Sequence, residues 1–144
     1  MSIFNSIEEV KKHLENLSSL SALNPEHYAP EEGIADRIAT ESEKEMKFTQ
    51  IRKFFAHIKK IEAELGGDTK AKIDRTKLYL LMPELAYGVG REVISKKFYD
   101  IMKVCLSGDK ITTVADFKRF VELLTAVVAY SKFSKFKDKK GGSK

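Results

Sequence analysis

Few residues in this chain of 144 amino acids are of reactive types, and their spacing decides what they could do. Gly88, Gly90 and Val93 spell G-x-G-x-x-V. That comes close to the glycine-rich turn that lets a backbone approach a pyrophosphate. The true turn follows a strand, opens a helix and has a third glycine. Here Val93 takes the third place and a helical pattern precedes the glycines, so dinucleotide binding is not expected. Two small residues at this point suit close helix packing, and Gly90 suits a helix C-cap. Neither G-x-x-x-x-G-K-[ST] nor G-x-S-x-G occurs. His13, His27 and His57 lack H-E-x-x-H spacing, and none has a glutamate three residues before it, so the common zinc and di-iron helix motifs are missing. Cys105 is the only cysteine and stands between Val104 and Leu106, the setting of a small core hydrophobe rather than a nucleophile. Glu41 and Glu45 read as a solvated acidic face. Neither catalysis, metal nor cofactor is expected.

Basic side chains interleaved with aromatics are the remaining chemistry. Net charge is +5, unevenly spread. Residues 1–46 carry four basic and ten acidic side chains, a net of −6. Residues 47–130 carry sixteen and ten, a net of +6, and residues 131–144 add +5. Such asymmetry points to a polyanion partner for the second part. Lys47, Arg52, Lys53, Arg75, Lys77, Arg91, Lys97 and Lys132 are the candidate contacts. Many of them stand near helix starts, where free backbone N–H groups also favour phosphate. His57 shares a polar face with Lys53 and Lys60, as a surface or RNA-contacting side chain. The competing reading of any one cation is ordinary solvated helix surface.

Helices must position these groups. Ser6 with Glu9 fits a capping box, and Ile7, Val10, Leu14, Leu17, Leu20 and Leu23 follow as one apolar face ending at Asn24-Pro25. Residues 24–45, with Pro25, Pro30 and Gly33, read as a connection holding a short helical piece near Ala35–Ala39. A second helix is expected over about 49–65, with Ile51, Phe54, Phe55, Ile58, Ile61 and Leu65 inward. A third spans about 72–90, kinked or divided at Pro83. A fourth spans about 92–106. A long last helix begins near Thr113-x-x-Asp116 and carries Phe117, Phe120, Val121, Leu124 and Val127. The terminal lysine- and glycine-rich residues 137–144 are expected to fray. No sustained strand alternation or fixed repeat appears. The expectation is one all-α domain over 1–144, a small bundle of about five helices. No apolar run reaches the about 20 residues that span a bilayer, and the first residues do not resemble a secretory signal, so a reduced, cytoplasmic setting is expected.

Three stretches carry a resemblance: QIRKFF (50–55), KLYLLMPELAYGVGRE (77–92) and FKRFVELLTAVVAYSKF (117–133). In order and spacing they resemble the small helical subunit of the type III-A CRISPR effector, the Csm complex, over roughly residues 47–136. Residues 1–46 resemble no known pattern. The resemblance implies a non-catalytic all-α scaffold. Several copies would stack along the CRISPR RNA–target RNA duplex beside other subunits, with basic side chains on the RNA backbone and sequence read by base pairing. The sequence departs from the family where Leu81, Met82 and Pro83 replace basic residues after Tyr79-Leu80, and where Ser131 stands in place of a histidine. The middle of the third helix is therefore not a candidate contact. A rival reading is a helical protein–protein adaptor or self-associating bundle, in which Phe54 or Phe55 faces a partner. A weaker one is membrane-surface binding through the Phe/Lys tail.

Overall fold

The computed structural model describes the backbone from residue 4 to 142 and side chains as far as Lys137. Among these residues the chain forms seven α-helices and no strand, two helices more than expected. They are α1 (Ile7–Glu15), α2 (Pro25–Tyr28), α3 (Ile34–Ser42), α4 (Phe48–Ala63), α5 (Thr76–Gly90), α6 (Lys96–Leu106) and α7 (Val114–Gly142), with a 3-10 turn at Leu20–Ala22. Helix α7 has 29 residues, about 43 Å of rise, and is the spine. Helices α3 and α4 and the 3-10 turn pack on it; α6 packs against α1, α3 and α5. One continuous core joins all of these layers, with Ile58, Phe98, Phe117 and Phe120 fully buried.

The capping signals act as their spacing requires. The Glu9 N–H donates to Ser6 Oγ at 3.2 Å, although the return bond to Glu9 comes from Asn5 N–H. At α7, Asp116 N–H donates to Thr113 Oγ1 at 3.3 Å while Thr113 N–H donates to Asp116 Oδ2 at 3.1 Å, a reciprocal box. Asp116 is 2% exposed and also accepts from Ser21 N–H and Thr112 N–H. Burial pushes its carboxyl up, but these hydrogen bonds together outweigh burial and hold it at about 2.

The first apolar stripe does not form one helix to Leu23. Helix α1 stops at Glu15, and Leu20 instead begins the 3-10 turn. Asn16, Ser18, Ser19 and Ser21 offer the backbone local alternatives to helix. Lys110 Nζ then takes the carbonyls of Glu15 and Leu17 at 2.9 and 2.7 Å. A second correction concerns residues 24–45. They are not a connection with one short piece: α3 lies against α7 with Ile34, Ala35, Ile38 and Ala39 at 0% exposure. Pro83 neither divides nor ends α5, which continues as one helix through it.

Candidate nucleic-acid interface

Helix α4 buries Ile51, Phe54, Ile58 and Ile61 and leaves Arg52, Lys53, Lys59 and Lys60 exposed on the opposite arc. Helix α5 runs beside it in the opposite sense. Lys77 Nζ reaches Glu64 Oε1 at 2.5 Å at one end, and His57 Nδ1 lies 3.2 Å from Glu84 Oε2 in the middle. The other end brings Lys53 and Arg91 to one groove of about 210 Å3, which Gln50, Glu84, Tyr87, Val93 and Ile94 also line. On the far side of α4, the Arg52 guanidinium lies 5.9 Å from the Phe48 ring centroid, and the Lys132 ammonium of α7 lies 5.6 Å from it. Lys47, the exposed N-cap of α4, immediately precedes that ring.

Five of the eight candidate cations, Lys47, Arg52, Lys53, Arg91 and Lys132, are thus gathered around the first half of α4. Among the described residues none of the five has a salt bridge. The other three lie elsewhere and are engaged. Arg75 pairs with Asp109 at 3.5 Å and donates to the Gly108 carbonyl. Lys77 holds Glu64. Lys97, on α6, holds Glu41 of α3 at 2.9 Å; that hydrogen bond raises the lysine's pKa and lowers the carboxyl's. The face is not uniformly basic. A concavity of about 860 Å3 beside Lys47 sets Lys44 and Lys135 among Glu43, Glu45 and Glu92.

The opening glycines have a packing role in part. A Cβ on Gly88 would run into the Ile94 side chain, so glycine there lets Ile94 pack directly on α5, and any side chain would have to push Ile94 aside. Gly90 is not the cap. It is the last helical residue, Arg91 is the C-cap, and the left-handed position falls on Glu92 at φ 64°. Val93 and Ile94 N–H groups then both donate to the Gly88 carbonyl, at 3.0 and 3.1 Å. Cys105 is fully buried, which pushes its thiol up to about 12. His13 and His27 meet edge to face at 5.1 Å. Among the described residues no three His, Cys, Asp or Glu side chains are placed to hold a metal. No helix there is long and apolar enough to cross a membrane.

Sequence reasoning missed Phe48, which gathers two cations, and the exposure of Tyr87. The signal was present as an aromatic and an arginine four residues apart: Phe48 with Arg52, Arg75 with Tyr79, Tyr87 with Arg91. One helical turn stacks such pairs. Residues 27–137 match the family model described as Csm2 Type III-A. The chain belongs to that family. The family likeness therefore extends to residue 27 and includes α3, beyond the 47–136 read from the sequence. Membership makes the chain a subunit of a type III-A effector complex, partnered by other Csm subunits. No curated protein and no solved structure matches it.

Proposed function

We propose that this subunit is a non-catalytic RNA-binding scaffold that lies along the CRISPR RNA–target RNA duplex and holds its phosphates through Lys47, Arg52, Lys53, Arg91 and Lys132. The observation that carries this reading is the gathering of cations from α4, α5 and α7 around the first half of α4, Lys53 and Arg91 on one flank and Arg52 and Lys132 on the other, with no carboxylate partner among the described residues. Backbone contacts of this kind read shape and charge, and leave sequence to the guide. Arg75, Lys77 and Lys97 join only by exchanging a carboxylate for a phosphate. Opening the exposed Lys77–Glu64 pair costs about 0–1 kcal/mol, small enough for a polyanion to compete, whereas the half-covered Arg75 and the part-buried Lys97–Glu41 pair resist exchange more. Further copies of the chain would stand beside one another on the same duplex.

The test is a salt titration of the full chain on RNA. Five neutralised phosphates on a single strand give a slope of log affinity against log salt of about −3.5. Arg52→Glu combined with Lys132→Glu removes about 1.4 from its magnitude and weakens retention, with helicity unchanged. Affinity that ignores salt overturns the electrostatic reading. A rival, a helical adaptor without RNA contact, draws support from the exposed Tyr79, Leu80 and Tyr87 of α5. It predicts no RNA binding at any salt and co-purification with a protein partner.

A further inference from the structure

The Tyr79-Leu80, Ala86-Tyr87 and Gly90-Arg91 series is not explained by backbone binding. At 100° per residue, Thr76, Tyr79, Leu80, Pro83, Ala86, Tyr87 and Gly90 fall within about a third of the α5 circumference. All seven are exposed and none is charged. At the Tyr79 end the arginine over the ring is committed to Asp109 and the Gly108 carbonyl. The Tyr87 end differs. Tyr87 is 69% exposed, the Arg91 guanidinium lies 5.6 Å from its ring centroid, and Lys53 lines the same groove. Neither cation has a hydrogen bond or ion pair among the described residues. The groove's one carboxylate, Glu84, already faces His57.

We propose that Tyr87, Arg91 and Lys53 form a subsite for one unpaired nucleotide: its base stacks on the open face of the Tyr87 ring and its phosphate lies between the two cations. This rests on the RNA-binding reading above and refines it. A paired base hides both its faces in the duplex stack, so an exposed tyrosine has nothing to stack on there; a splayed base presents a π-face. Arg91 on one side of the ring leaves the other for a base, and guanidinium, ring and base can then form a continuous stack. The charge also fits: two uncommitted cations meet a phosphate. Gln50, on the groove wall, carries both a donor and an acceptor for the nucleotide's polar edge.

The chain has no tryptophan and five tyrosines, so tyrosine emission can be followed without a dominating signal. The full chain is titrated with oligouridylate and, separately, with an RNA duplex of equal length, for the natural sequence, Tyr87→Ala, Tyr87→Phe and Arg52→Glu. Tyr87→Ala is expected to lose on the order of five- to a hundredfold in single-strand affinity. It should hold its duplex affinity within about twofold, with the salt slope unchanged. Tyr87→Phe keeps the single-strand affinity but gives less emission quenching, because the stacked ring no longer emits. Arg52→Glu weakens both ligands.

Single-strand affinity indifferent to Tyr87→Ala overturns the subsite while salt-dependent duplex binding leaves the scaffold reading intact. Equal losses on both ligands also overturn it, by making Tyr87 a general contact. If Tyr87→Ala instead disperses a sedimenting self-associated species and leaves RNA binding alone, the strip is a protein-docking face and the subsite falls. If neither RNA form binds the natural chain, the scaffold reading fails first, and the subsite with it.

Discussion

Asp116 ties three segments by accepting backbone N–H groups from Ser21, Thr112 and Thr113, and the consequence is a pH dependence with a definite sign. Its carboxyl sits at about 2, below the ordinary value of about 3.9. Its stabilisation is therefore fully present above pH 4 and is lost as pH falls towards 2, by about 2 kcal/mol. Urea midpoints measured at pH 6, 4 and 2.5 should fall across that window, and Asp116→Asn should flatten the fall while lowering stability at pH 6. A midpoint as steep with Asn in place would locate the acid sensitivity elsewhere. The box with Thr113 was legible, because its two partners are three residues apart. The third partner, Ser21, is 95 positions away, and nothing local announces it. The same limit applies to the cations. The sequence marks Lys97 as basic, but Glu41, which engages it, lies 56 positions earlier.

Helices with long apolar stripes were readable. The buried positions of α4 (Ile51, Phe54, Ile58, Ile61) and the inward Phe117, Phe120 and Val121 of α7 fall where a 3.6-residue period puts them. Phe54 is inside, meeting Phe98 edge to face at 5.7 Å, and its neighbour Phe55 is half-buried at the core's margin. Helix α3 was not readable as a core element, because Pro25, Pro30 and Gly33 punctuate its approach and its buried face is short and partly alanine. Its burial is imposed by α7 rather than by local preference. The end of α5 was misread for a related reason. The glycine signal fell at Gly90, while the left-handed turn fell on Glu92. A side chain there costs about 1 kcal/mol relative to glycine, partly offset by the greater freedom of an unfolded glycine. Glu92→Gly should therefore raise stability by about 0.5 kcal/mol, or about 1–2 °C in Tm for a chain of this size. Differential scanning calorimetry measures it, and a lowered Tm would mean that the Glu92 side chain has a stabilising contact.

The acidic first third and the basic remainder are not separable bodies. Val10, Leu14, Leu20, Leu23, Ile34 and Ile38 are all at 0% exposure within the one core. Each such side chain is worth about 1.5–3 kcal/mol on burial, and a domain has only about 5–15 kcal/mol in total. A fragment of residues 47–144 is therefore expected to show no cooperative urea transition by circular dichroism, although it contains every proposed RNA contact. A sharp transition in that fragment would make the first third an appendage. The seclusion of Cys105 has a consequence at this same scale. Its sulfur can be alkylated only as a thiolate, and it stays protonated and shielded while the helices are together. Maleimide or iodoacetamide labelling of this chain therefore waits on opening of the bundle, and at reagent concentrations that outpace reclosing the lone sulfhydryl becomes a built-in clock for unfolding.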